Sequence, residues 1–145
     1  MWLTPQNLRQ PEIDTNIIAL VRALNEFDGL TTIGSCGGHP NPTIYQEPEG
    51  SWSIIMKFDH GNDGWLALEF LSWLINHDAA NAGKRVLLYP TARPPHLNHP
   101  GRVLSFVFKG ENEDPDEWAM WIHQVRIECY ISPVVESKIL LAGGC

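Results

Sequence analysis

Two halves of the sequence carry the same order of structural signals, and this order constrains the fold more than any other feature. In the first half, Gly29 precedes a strand-like stretch, a proline-rich loop, Gly50 and a second strand. In the second half, Gly83 precedes a strand, a proline-rich loop, Gly101 and another strand. The pattern predicts two similar strand–loop–strand units and leaves open whether they arose by internal duplication.

Helical patterns surround and separate the strands. Apolar residues recur at helical spacing after Pro11, from Gly64 to about Asn81, and after Asp114. The predicted strands are 30–35, 52–58, 85–89 and 103–108. The resulting order, α-β-β-α-β-β-α, predicts an α+β fold with a mostly antiparallel sheet and helices packed on it. The tryptophans expected in the core are Trp52, Trp65, Trp73, Trp118 and Trp121.

Length and cysteine content predict a single domain in a reducing compartment. The 145 residues suffice for one domain, 1–145, in which 130–145 is a possible extended tail. The three cysteines are widely spaced and form no C-x-x-C pair, which favours free thiols. Neither a signal peptide nor a membrane-spanning run is recognisable, so we predict a cytoplasmic protein without membrane contact.

The charge distribution argues against nucleic acid and points to a local anion site. A formal net charge of −7 disfavours nonspecific nucleic-acid binding, which requires an excess of Lys and Arg. The segment 79–110 nevertheless lacks acidic residues and contains Arg93, His96 and His99. These three side chains are candidates for holding an anionic group, and a solvated pair of strands is the alternative explanation of the same basic segment.

The stretch TIGSCGGHPNP, residues 32–42, is the candidate reactive loop. Glycine allows positive φ and close backbone approach, so Gly37 and Gly38 can aim amide N–H groups at one point. Such donors, together with the Ser35 hydroxyl, would bind an anion and would stabilise a thiolate at Cys36. The proposed base for this thiol is His39 or His60. A buried structural cysteine beside an ordinary glycine turn remains the alternative.

A metal site is a weaker interpretation of the same histidines and cysteine. Cys36 and His39 have C-x-x-H spacing, and His96 and His99 have H-x-x-H spacing. Together they offer four ligands of the types that zinc prefers. Structural zinc sites usually carry more cysteines, so the sequence by itself predicts no metal ligands and leaves the cofactor unknown.

The motif T-x-x-S-C-x-G-H at residues 32–39 resembles that of a set of uncharacterised bacterial and phage proteins. The runs GWLALEFLSWLIN (64–76) and LYPTARPPHLN (88–98) extend this resemblance. The Ser35-Cys36 pair and Gly38 are also similar to the Ser-Cys-Ser-Gly-Arg motif of the tRNA wybutosine-synthesising methyltransferase family. That second resemblance implies an α/β fold and an S-adenosylmethionine-dependent activity on tRNA, although His39 stands where that family has arginine.

Two functions follow as predictions. The first is binding of, or action on, an anionic small molecule or nucleotide through the loop that carries Cys36 and His39. The second is a non-catalytic, homo-oligomeric interaction module, in which Cys36 is structural and the apolar tail at 139–142 contributes to the interface. An RNA-modification enzyme is a further alternative.

Overall fold

The computed structural model describes residues 13–91 and 104–131. Its strands are β1 (Leu30–Cys36), β2 (Ser51–Phe58), β3 (Val86–Pro90) and β4 (Leu104–Glu111). Its helices are α1 (Ile18–Asn25), which follows a 3₁₀ turn (Thr15–Ile17), α2 (Asn62–Trp73) and α3 (Pro115–Val125). Helix α2 continues through a π-helical turn (Leu74–Asp78) and a last α-helical turn (Ala79–Asn81), and α3 continues as a π-helix (Arg126–Ile131). The predicted α+β class is confirmed.

The four strands form one antiparallel sheet in the order β1-β2-β4-β3. Along β2 the side chains alternate between a buried face and a half-buried face, as the two-residue period of a strand requires. The buried face carries Trp52, Ile54, Met56 and Phe58, which join residues of all three helices in one hydrophobic core. The helices therefore cover this face of the sheet. Full burial of each of these large side chains contributes roughly 1.5–3 kcal/mol.

The two hairpins of the sheet run in opposite senses, which separates the two proline-rich loops. Cys36 lies opposite Ser53, and Ser53 lies opposite Lys109, so these residues mark one end of the sheet. Leu30 and Leu104 both lie opposite Phe58 and mark the other end. We call these the Cys36 end and the Leu30 end.

The second proline-rich loop, 90–101, falls mostly outside the described residues, but the strands that flank it are described. Pro90 ends β3 and Leu104 begins β4, and both lie toward the Leu30 end. Leu104 lies five positions before Lys109 on β4. At about 3.4 Å per residue, the loop therefore leaves the sheet roughly 17 Å from the Cys36 end.

Helix α2 presents a different face to the core from the one that the sequence predicts. Trp65 is 53% exposed, whereas Ala67, Leu68 and Leu71 are buried. The expectation that Trp65 lies in the core is wrong because this helix is apolar on nearly every side, so periodicity alone does not identify the buried stripe. Among the described residues, no helix combines the length and apolarity needed to span a membrane.

Candidate functional site

A β-bulge directs the Cys36 side chain away from the core. The register between β1 and β2 shifts between Thr32 and Gly34, so that Ile33 is an extra residue on β1. Strict alternation from buried Leu30 would place Cys36 on the core face of the sheet. The extra residue reverses the alternation, and Cys36 lies opposite half-buried Ser53 instead. Cys36 is a free cysteine of intermediate exposure and does not belong to the hydrophobic core.

Three side chains of different chemistry converge beyond this bulge. One potential ligand atom from each of Asp14, Cys36 and His39 lies within 4.8 Å of the other two. The His39 Nε2 atom lies 3.3 Å from Asp14 Oδ2, and both side chains are about one-third exposed. Solvent therefore reaches a point at which a thiol, an imidazole and a carboxylate meet.

Asp14 reaches this point because its carboxylate does not cap its own helical turn. Asp14 occupies the position before the Thr15–Ile17 turn, yet its side chain makes no capping hydrogen bond. Its Oδ2 atom instead accepts a hydrogen bond from the Gly37 N–H at 2.7 Å. Asn16 strengthens the same connection, because its Nδ2 group donates to the Gly37 carbonyl at 2.9 Å. The segment before α1 is thereby attached to the loop after β1.

The two adjacent positions Gly37 and Gly38 require glycine for different physical reasons. A Cβ atom at Gly37 would overlap Asn16 Oδ1 and would lie 2.9 Å from Asp14 Cβ, so Gly37 permits close approach of the Asp14–Asn16 segment. Gly38 has a φ of +96°, which disfavours any residue with a side chain. The Gly37 amide is engaged by Asp14, and this part of the predicted anion nest therefore already holds a carboxylate of the protein itself.

The far side of the loop provides further hydrogen bonds to the site. The Glu47 N–H donates to Cys36 Sγ at 3.3 Å, and the His39 N–H donates to the Glu47 carbonyl at 2.9 Å. Hydrogen bonds from N–H groups favour negative charge on the atom that accepts them. The loop backbone therefore fixes His39 and supplies a donor that suits a thiolate at Cys36.

An ion pair between Lys109 and Glu47 lies next to Cys36. Lys109 Nζ is 3.1 Å from Glu47 Oε1, and both side chains are partly buried. The hydrogen bond to Glu47 raises the pKa of Lys109, burial partly opposes this effect, and the Coulombic attraction of Glu47 adds to it. Lys109 is thus held as a cation, but its charge is already balanced by Glu47.

The other predicted site residues do not all join this cluster. Ser35 lies opposite core-facing Ile54, so its side chain is on the other face of β1 from Cys36. His60 follows β2 at the Leu30 end and is exposed, so the structure does not bring it to Cys36 as a base. Arg93, His96 and His99 lie outside the described residues.

Sequence reasoning missed Asp14, which lies far from Cys36 in sequence. The sequence signal for this residue is an aspartate at a helix start, whose carboxylate can either cap the following turn or bind another group. A hollow of about 110 Å³, lined by Lys84, Glu117, Trp118 and Trp121, was also not predicted. It is smaller than the roughly 300 Å³ at which small-molecule pockets begin, and it contains none of the three converging groups.

Comparison of the chain with protein-family models, with curated proteins and with solved structures finds no significant match. The candidate site therefore stands on its own geometry. That geometry offers a sulfur, a nitrogen and a carboxylate oxygen to one partly exposed point, with backbone donors behind the sulfur and the carboxylate. Such a set can transfer protons, can attack an electrophile through sulfur, or can ligate a cation.

Proposed function

We propose that the protein binds a small anionic molecule at the Cys36 end of the sheet, with the Cys36 sulfur and the His39 imidazole in contact with what is bound. The observation that carries this proposal is the convergence of Cys36, His39 and Asp14 on one partly exposed point. The bulge at Ile33 supports it, because bulges recur beside functional sites, where they re-aim a side chain. A cysteine needed only for packing would be accommodated by the regular register, on the core face.

The role of each residue follows from its contacts. Asp14 orients His39 through the 3.3 Å contact with Nε2, and Gly37 in turn orients Asp14. Glu47 provides the N–H that faces Cys36 Sγ. A reducing cytoplasmic location belongs to this proposal, since Cys36 acts in it as a free thiol.

The anionic nature of the bound molecule needs a source of positive charge. Lys109 is paired with Glu47, and Asp14 adds a negative charge to the site. Arg93, His96 and His99 remain predicted contributors, but the strand ends that flank them lie toward the Leu30 end. The described residues alone therefore leave the site short of positive charge.

Alkylation of Cys36 tests the proposal. The folded protein is treated with iodoacetamide at neutral pH, and labelling of the Cys36 peptide is followed over time by mass spectrometry. We expect labelling without unfolding, slowed by saturating nucleotide or inorganic phosphate, and a rate changed several-fold in Asp14→Asn and His39→Gln. Glu49→Gln, an exposed acid of the same loop, is the matched control and should keep the native rate.

Two results would contradict the proposal. Labelling of Cys36 only after the protein has unfolded, even in the presence of a chelator, would mean that the cysteine is inaccessible and structural. Equal labelling rates in the native protein, Asp14→Asn and His39→Gln would mean that the cluster has no chemical influence on the thiol.

A second candidate is the homo-oligomeric interaction module, which one feature of β3 favours. Leu87 is 60% exposed and Tyr89 is 40% exposed on β3, which is an edge strand of the sheet that the described residues form. Exposed apolar residues on an edge strand can pair with another chain. Sedimentation equilibrium of the native protein and of Leu87→Lys tests this function, because an interface at β3 requires weaker self-association in the variant.

A further inference from the structure

We propose that Asp14, Cys36 and His39 are the protein ligands of a divalent transition-metal cation of the zinc type. The proposal rests on the function proposed above and names what the loop holds. The cation, whose charge the ligands balance, offers an open coordination position, and the small anionic molecule binds directly to the metal there.

The geometry of the three side chains suits this ligand set. Two ligand atoms on a tetrahedral zinc ion, each about 2.0–2.3 Å from the metal, lie about 3.3–3.6 Å apart. The separation of His39 Nε2 from Asp14 Oδ2, 3.3 Å, already has this value. Cys36 Sγ lies within 4.8 Å of the other two ligand atoms. A change of about 1 Å in side-chain position therefore completes the set without movement of the strands.

The three side chains converge on one point and do not form a proton relay. In a Cys–His–Asp catalytic relay, the two imidazole nitrogens face different partners, one the nucleophile and the other the carboxylate. Here a single nitrogen of His39 lies within 4.8 Å of both the Asp14 oxygen and the Cys36 sulfur. Convergence of three donor atoms is the geometry of a cation site.

Hydrogen bonds behind the ligands resemble those that orient ligands in metal sites. The Gly37 N–H fixes Asp14 Oδ2, and the Glu47 N–H faces Cys36 Sγ. Such outer contacts hold metal ligands in position and tune their charge. The Asn16 bond to the Gly37 carbonyl fixes the Gly37 peptide group itself. Two of the three ligands are thus positioned by backbone donors before any cation arrives.

Charge and ligand type identify the class of cation. A thiolate, a carboxylate and a neutral imidazole carry two negative charges, which a divalent cation neutralises. Sulfur and nitrogen donors favour zinc and neighbouring transition metals over magnesium and calcium, which prefer oxygen. Three protein ligands leave the fourth tetrahedral position to water or to an anion. This open position is where a phosphate or carboxylate group of the bound molecule would coordinate.

Titration with Co²⁺ and with Zn²⁺ tests the site in the full-length protein. Cobalt reports thiolate ligation through a charge-transfer band and reports tetrahedral geometry through its visible bands. We expect one equivalent of Co²⁺ with both signatures, displaced by one equivalent of Zn²⁺. Cys36→Ser should abolish the charge-transfer band, and Asp14→Asn and His39→Gln should weaken zinc binding on the order of 100-fold or more.

Matched variants exclude adventitious binding. His77→Gln replaces an exposed histidine outside the cluster, and Glu49→Gln replaces an exposed acid of the loop; both should bind Zn²⁺ as the native protein does. Cys129→Ser and Cys145→Ser should retain the charge-transfer band. Circular dichroism of each variant checks that it is folded. A band that persists in Cys36→Ser, or zinc affinity that is unchanged in Asp14→Asn, would overturn the proposal.

The outcome separates this proposal from the function on which it rests. Loss of zinc binding in the double variant His96→Gln, His99→Gln, with binding intact in Asp14→Asn, would overturn the Asp14 ligand set. If the native protein binds neither metal while Cys36 still alkylates in the folded state at a rate that depends on Asp14, only the metal proposal fails. If Cys36 is inert in the folded protein even after treatment with a chelator, the proposed function fails as well.

Discussion

Glycines lie at both ends of the sheet, but they make different kinds of contact at the two ends. At the Leu30 end, Gly64 at the start of α2 packs against the backbone of Asp59, and the Asp59 N–H donates to the Gly29 carbonyl at 2.8 Å. At the Cys36 end, Gly37 packs against the side chains of Asp14 and Asn16. The first contact joins backbone to backbone, and the second joins backbone to polar side chains.

The comparison teaches that a glycine-rich turn does not by itself identify a functional site. His60 and Asp59 at the Leu30 end offer an imidazole and a carboxylate beside glycines, just as the Cys36 end does. Among the described residues, a group of three His, Cys, Asp or Glu side chains with ligand atoms within 4.8 Å of one another is found only at the Cys36 end. At the Leu30 end, glycine allows two main-chain segments to approach each other, which forms a structural joint. At the Cys36 end, glycine allows reactive side chains to approach, which forms the candidate site.

The largest expected effect comes from Gly64→Ala, which breaks the structural joint. The added Cβ would overlap the Asp59 carbonyl oxygen and lie 2.6 Å from the Asp59 nitrogen, and backbone cannot rotate away as a side chain can. We expect destabilisation of about 3 kcal/mol or more, which lowers Tm by roughly 10 °C. Thermal and urea unfolding followed by circular dichroism measure this change.

Gly61→Ala is the matched control for that prediction. A Cβ at Gly61 meets no atom within 4 Å, and its φ of −96° is open to any residue. Its stability should stay within about 0.5 kcal/mol of the native protein. Equal stability of Gly61→Ala and Gly64→Ala would show that the joint tolerates a side chain and would remove the contrast between the two ends.

Gly37→Ala should affect the site more than the stability. The new Cβ overlaps Asn16 Oδ1, the end of a side chain that can rotate away, and meets Asp14 Cβ, which can move only with the segment that precedes α1. We therefore expect a cost of only about 1–2 kcal/mol. Displacement of Asp14 removes its contact with His39, so the alkylation rate of Cys36 should change several-fold. A native rate in a destabilised Gly37→Ala protein would place this glycine in the same structural class as Gly64.

The sequence predicts the elements better than their arrangement. Strand β2 and the proline-started helix α3 follow from period and capping signals, and Asp114 caps α3 by accepting from the Asp116 N–H at 2.9 Å. The pairing of β2 with β4, which sends the two proline-rich loops to opposite ends, depends on long-range packing that local patterns do not encode. The apolar circumference of α2 likewise hides which face is buried, as Trp65 demonstrates.

For the same reason, only part of the site can be predicted from the sequence. Cys36 and His39 lie three residues apart in one loop, so their proximity is readable from the sequence. Asp14 joins them through contacts that are distant in sequence: its carboxylate accepts a hydrogen bond from the Gly37 N–H, 23 residues away, and contacts His39. The bulge that turns Cys36 away from the core has Ile33 as its extra residue, and the adjacent Gly34, inside the predicted strand, is the sequence signal that could have indicated it.

The smallest expected effect concerns Lys109, whose ion pair with Glu47 distinguishes the Cys36 end electrostatically. The pKa of Lys109 is raised by the Glu47 hydrogen bond, so the folded state holds this proton more tightly than the unfolded chain. The pair therefore stabilises the fold fully below the ordinary lysine pKa of 10.5, and this contribution is lost as the pH rises through the higher folded value. Lys109→Met should cost about 0.5 kcal/mol at neutral pH, because a partly exposed pair is screened by solvent.

Urea unfolding at neutral pH and at a pH above the folded pKa of Lys109 measures this contribution. The stability difference between the native protein and Lys109→Met should shrink at the higher pH, since the native ammonium is then deprotonated. Lys57→Met is the control, because Lys57 lies on the same face of the sheet toward the Leu30 end. A Lys109 effect that stays constant across this pH range would mean that the lysine stem contributes by packing. The charge at the Cys36 end would then play no part in the contrast with the Leu30 end.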